Sequence, residues 1–268
     1  MSGKLIIELT SRECNRYLVE GGDIAVLPVG SVAVLGPHLP VGARYYVAEA
    51  FGQLLAEQVD GIRMPVTPFG VALATFNRAG SVAVTAKALR SYIRAAMDDL
   101  LVAGFRRILL LTEADYIAYY TPQEFYEDHN VAAAGINLGE AIYPACKARE
   151  ISEDSVMVGA LRVLGKHDLA AKVMAENARL LSLDSKPVTL PEDVARVLKG
   201  GVVGFTYPTS GFPIQPNPGL NPEAGAEALR ESVAALVPAV ASLRLYNEFL
   251  AKRKDSRGMM WRGWRWTE

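Results

Sequence analysis

Few side chains in this sequence are of the types that usually do chemistry. There are three histidines, His38, His129 and His167, and two cysteines, Cys14 and Cys146. Glu113 and Asp115 directly follow an apolar run and could serve as metal ligands or as a carboxylate pair for acid–base work. The same stretch, Thr112-x-x-Asp115, also reads as a helix start at which acidic side chains satisfy free backbone N–H groups, and that reading is preferred. Cys146 has no histidine near it in sequence to draw off its proton, so it reads as an inert thiol. His129 and His167 sit in polar, loop-like stretches and indicate no particular role. Tyr116, Tyr119 and Tyr120 fall at helical spacing, where aromatic residues more often pack than bind.

Whatever chemistry exists must be held by the elements around these residues. Asp23–Gly30 reads as a buried strand ending in a turn, and residues 45–58 carry Val47, Phe51, Leu54 and Leu55 at helical spacing. A second strand is expected over Ile62–Thr67, and a helix over Lys87–Ala103 with Tyr92, Ala96 and Leu100 on one face. Arg107–Leu111 reads as a third buried strand. Apolar strands alternating with helices predict a single α/β domain, a mainly parallel central sheet with helices on both faces. In such sheets sites form at the carboxyl edge, here the turns after Val29 and Leu111. Further on, residues 170–197 read as helical, 201–205 as a strand, 209–222 as a Gly/Pro/Asn-rich lid or arm, and 222–243 as a helix. Residues 1–250 form the body, and 251–268 a basic tail holding Trp261, Trp264 and Trp266. Trp and Arg together suit docking on another subunit.

Half of the residues are hydrophobic, 21% are charged and the formal net charge is -1. That balance is ordinary for a globular domain and provides no field toward nucleic acid or an anionic membrane. Two cysteines without metal-type spacing suit a reducing compartment. No uninterrupted run of about 18 apolar residues occurs and the N-terminus lacks a leader-like run, so a soluble cytoplasmic protein is expected, with neither membrane nor nucleic acid as a partner.

The segment Leu27–Arg44, LPVGSVAVLGPHLPVGAR, is similar to the opening signature of the creatininase family, roughly L-P-x-G-S-x-E-Q-H-G-P-H-L-P-x-x-T-D. Leu27, Pro28, Gly30, Ser31, Gly36, Pro37, His38, Leu39 and Pro40 match without a gap. Pro68-Phe69-Gly70 with Gly80-Ser81, the strand before Thr112, Glu153–Met157, Gly201–Gly204 and Pro222–Gly225 resemble later family segments. The resemblance implies the creatininase fold, homo-oligomers, and a dinuclear metal centre that activates water and polarises an amide carbonyl.

At the positions where the family supplies ligands, this chain has Ala33 for Glu, Leu35 for His, Arg44 for the bridging Asp and Ala114 for the second His. Only Glu153 is kept, and Ala74 and Thr75 replace a further Glu-His pair. A guanidinium about 4 Å from a divalent ion, at an effective dielectric near 20, is repelled by roughly 8 kcal/mol. The expectation is therefore no metal and no cofactor: a non-catalytic creatininase-like subunit or small-molecule binding protein. Arg44, with Arg149 and Lys147 near Glu153, would make an anion-binding pocket, or Arg44 would simply pair with Glu153. The alternative is a metal-independent enzyme acting on a carboxylate- or amide-bearing molecule, with His38 or Glu153 moving protons. His38 reads more simply as a loop-tying residue. Expected partners are a small, anionic ligand and copies of the chain, or an active paralogue in a mixed oligomer.

Overall fold

The computed structural model describes residues 4–71, 79–183 and 214–252. The described elements are α1 (Ser11–Val19), β1 (Ile24–Pro28), α2 (Ala43–Gln58), β2 (Ile62–Arg63), α3 (Ala86–Ala103) and β3 (Arg107–Thr112). They continue with α4 (Asp115–His129), β4 (Ala134–Asn137), α5 (Leu138–Arg149), α6 (Glu153–Val163), α7 (His167–Leu181) and α8 (Pro222–Lys252). All four strands are parallel, in the order β2-β1-β3-β4.

The apolar runs of β1 and β3 put them at the centre, where alternate side chains serve opposite faces. Ile24, Val26, Leu109 and Leu111 pack with α2, α5, α6 and α8 on one face. Ala25, Leu27, Ile108 and Leu110 pack with α1, α3 and α4 on the other. This is the expected single α/β layer arrangement.

Differences of detail have physical causes. The second strand stops at Arg63 because Pro65 has no N–H to donate. The chain still runs alongside β1, with Met64 N–H donating to the Val26 carbonyl and Thr67 N–H to that of Pro28. α3 has the expected bounds, capped by the Thr85 hydroxyl and ended by Gly104 in a left-handed conformation. Its buried face is Leu89, Ile93 and Met97, whereas Tyr92 points outward. The last helix runs on to Lys252 rather than stopping near 243. The expected strand at 201–205, the end of the 170–197 helix, the first five residues of the 209–222 loop, Ala74, Thr75 and the tryptophan tail lie outside the described residues.

α8 is, among the described residues, long and apolar enough to cross a membrane by length and composition alone. The first half of this helix is nevertheless docked on the body, with Ala228, Leu229 and Val233 fully buried. α6 and α8 approach so closely that a Cβ at Gly225 would lie 1.9 Å from the Ser155 carbonyl oxygen, and one at Gly159 would lie 2.3 Å from Ala226 N. Gly225→Ala is therefore expected to cost about 2 kcal/mol, because two packed backbones must separate. Urea unfolding measures this, and a loss below about 0.5 kcal/mol would show that the contact is soft.

Candidate functional site

The site lies where the sheet's carboxyl edge meets the starts of two helices. β1 ends at Pro28, and the chain loops through residues 29–42 into α2, whose first turn carries Arg44. Gly30 is required in this loop, since a Cβ there would come within 2.6 Å of Tyr45 Cα. A cation in the first turn of a helix opposes the helix dipole, and α2 has no acidic residue there to offset it. The compensation comes from two other elements. Glu113 follows β3 directly and Glu153 opens α6.

Arg44 touches both carboxylates. Its Nη2 donates to Glu153 Oε1 at 3.1 Å. Its Nε lies 2.9 Å from Glu113 Oε2, an ion pair in which the N–H is not aimed as a hydrogen bond. The side chains are 33% exposed for Arg44, 23% for Glu113 and 56% for Glu153, so the Glu113 arm is the more enclosed.

The acidities follow from this sharing. Burial pushes the Glu113 carboxyl up to about 7, against the pull of Arg44, and the neighbouring Glu153 charge pushes the same way. Arg44 is itself raised: burial works against its charge, but the two carboxylates together outweigh it. Both shifts being upward looks contradictory for a simple pair. It is consistent for one cation shared by two anions, where the cation is compensated twice and each anion only in part.

Two hollows flank the triad. A cavity of about 480 Å³ is walled by apolar side chains of α2, α5 and α6, with Glu113, Glu153 and Lys147 among its lining. A recess of about 40 Å³ is lined by Gly30, Ser31, Arg44, Gly70, Thr112 and Glu113. Cys146 faces the larger cavity, and burial together with the Glu153 charge pushes its thiol up, away from the reactive thiolate.

The other sequence candidates are placed elsewhere. His38 is fully enclosed, its Nε2 3.5 Å from Asp154 Oδ2, and neither ring nitrogen has a hydrogen-bond partner among the described residues. At that separation the contact is not a formed hydrogen bond. Burial opposes the Asp154 charge, yet His38, Ser152 and Asn217 together hold its carboxyl below the usual range. This network fastens the 214–221 segment to α6, with Asn221 N–H donating to Ser155 Oγ and Asn217 Nδ2 to Ser152 Oγ. His38 therefore lies in a loop-tying cluster and not beside Arg44. Arg149 also leaves the site, gripping Glu231 through two nitrogens and Glu227 through a third on α8. Arg149, expected to bind substrate, thus lines neither hollow beside Arg44.

Glu113 is the site residue that sequence reasoning misassigned. Helix α4 has Ala114 at its N-cap with no side-chain cap bond. Thr112 accepts from Ala114 N–H instead, and Asp115 accepts from Asn137, so no capping box forms. Tyr116 and Tyr119 are taken up at the surface by Arg90 and Glu140.

Comparison with known proteins bears directly on this arrangement. The sequence model of the creatininase family, creatinine amidohydrolase, matches residues 7–116, which include Arg44 and Glu113. Over that stretch the chain resembles the creatininase family. Among solved structures it is similar to a creatinine amidohydrolase (creatininase), at TM-score 0.68 and 18% identity, covering 90% of this chain and 97% of that one. A Zn-Zn type creatininase mutant matches at TM-score 0.68 and 17% identity, covering 89% and 97%. A putative creatinine amidohydrolase from Bacteroides fragilis NCTC 9343 follows at TM-score 0.60 and 16% identity, covering 82% and 89%. No curated protein matches the sequence. Likeness at this identity carries the creatininase fold and not the creatininase reaction.

Of the ligand positions that the family resemblance implies, Ala33 and Leu35 are buried in the apolar core. Ala114 packs against the opposite apolar cluster. Among the described residues no group of three or more His, Cys, Asp and Glu side chains is placed to hold a metal ion.

Proposed function

We propose that this creatininase-like chain is a non-catalytic, small-molecule binding protein in which an arginine has replaced the metal pair. The observation that carries the reading is the Arg44 guanidinium lying against both Glu113 and Glu153. Two divalent ions need several hard oxygen or imidazole donors. The side chains here offer two carboxylates with a fixed cation between them, and that donor set does not fit a metal pair. Arg44 supplies positive charge at the sheet edge without supplying a metal-bound water.

The alternative of metal-independent catalysis has less support. Of its two proposed proton carriers, His38 is enclosed with Asp154 in a separate cluster and Glu153 is paired with Arg44. Arg44, which would have to hold the substrate, is already engaged by two carboxylates. What remains is a preformed cavity of the volume and apolar character typical of small-molecule sites.

The test is metal content together with turnover. Protein purified without chelator or metal-affinity steps is expected to carry well under one divalent ion per chain by elemental mass spectrometry. It is also expected not to hydrolyse creatinine when zinc or manganese is added. Two ions per chain with turnover would restore a metal amidohydrolase and sink the proposal.

A further inference from the structure

We propose that the cavity of about 480 Å³ beside the triad binds a primary amine in its protonated form, its ammonium on Glu113 and Glu153 and its apolar body against α5 and α6. This names the ligand class of the site proposed above and rests on that reading, because a metal pair would compete for the same carboxylates.

The geometry is asymmetric. Glu113 and Glu153 both line the large cavity, whereas Arg44 is not among its lining residues and lines the small recess, which Glu113 borders as well. A ligand in the cavity therefore meets carboxylate oxygens first. With both ionised, the triad holds two negative charges and one positive. Arg44 contacts Glu113 Oε2 and Glu153 Oε1. The second oxygen of each, Glu113 Oε1 and Glu153 Oε2, has no partner among the described residues and is acceptor-only. An ammonium brings three donors and the missing positive charge. Val47, Ile142, Ile151, Val156 and Met157 form the walls for an alkyl or aromatic body.

An anionic ligand would need a free cation, and Arg44, the residue on which that expectation stood, is committed. Lys147 is the cation in the lining. It has no ion pair among the described residues, so the carboxylate hexanoate is the control that decides between the two charges.

The test is calorimetric titration of the full chain with n-hexylamine, sodium hexanoate and 1-hexanol, on a preparation of measured metal content. Hexylamine is expected to bind saturably with a Kd of about 1 mM or tighter, at least about tenfold tighter than the acid or the alcohol. Glu113→Gln and Glu153→Gln should each weaken it about tenfold. Folding of both variants is checked by circular dichroism, and the more exposed Glu153 is the safer of the two. Hexylamine should also slow alkylation of Cys146 by iodoacetamide while leaving Cys14 on α1, outside the cavity, unchanged. Hexanoate binding equally or more tightly, no saturable amine binding, or variants of unchanged affinity would each overturn the proposal. Metal-loaded, active protein would instead overturn the function proposed above, whereas metal-poor protein that ignores the amine overturns this inference alone.

Discussion

Arg44→Met should lower the free energy of unfolding by about 3 kcal/mol at pH 8, measured by urea denaturation with an unchanged m-value. The substitution preserves the unbranched stem and removes the guanidinium. Glu113 and Glu153 are then left facing each other at the sheet edge with no cation between them. Most of the loss comes from the Glu113 arm, whose side chain is 23% exposed; Glu153, at 56%, is rescued by water and contributes less. Removing one partner of an enclosed ion pair costs more than removing the pair, so Arg44→Met with Glu113→Gln should recover to within about 1 kcal/mol of the parent. A double variant no better than the single one would show that Arg44 stabilises through its stem and not its charge.

The same triad shows what the sequence could and could not reveal. Replacement of a ligand position by Arg44 is visible in the chain, and so is its most conspicuous partner, Glu153, because both sit in segments that resemble family motifs. Glu113 was hidden because a capping pattern is satisfied by local residues alone, whereas pairing with Arg44 depends on how α2 and β3 come together. Arg149 was misplaced for a related reason. Its charge is legible, but the face formed by Glu227 and Glu231 on α8 becomes its partner only once α5 and α8 pack.

Strands β1 and β3 were legible because burial on both faces demands a continuous apolar run. β4 was not, since Ala134-Gly135-Ile136-Asn137 has one β-branched residue and a glycine. That glycine is imposed from outside: a Cβ at Gly135 would lie 1.7 Å from the Ala118 carbonyl of α4. α4 and α5 were obscured by Pro122 and Pro144 inside them, residues that normally argue against a helix interior.

The second large effect concerns pH and runs opposite to the usual carboxylate behaviour. Glu113 is held up to about 7 by burial and by Glu153, against an ordinary value of 4.5. Between those values the folded chain binds a proton that the unfolded chain has released, so stability falls as pH rises. The contribution is fully present below about pH 4.5, is lost progressively up to about pH 7, and does not change further above it. A shift of this size corresponds to at most about 3 kcal/mol, or about 6–12 °C in Tm for a chain of this length. Asp154, with a lowered value, acts in the other direction and only at lower pH, where its carboxylate begins to protonate. The two contributions therefore separate along the pH axis. The direct measurement is the stability difference between the parent and Glu113→Gln, followed by urea unfolding from pH 4.5 to 8. The glutamine keeps the shape but cannot titrate, so that difference should move against the parent by up to about 3 kcal/mol over this range. A flat difference would mean that Glu113 is ionised throughout and fully compensated by Arg44. The triad would then behave as a well-matched pair with Glu153 as a bystander, and the excess negative charge facing the cavity would reside on Glu153 alone.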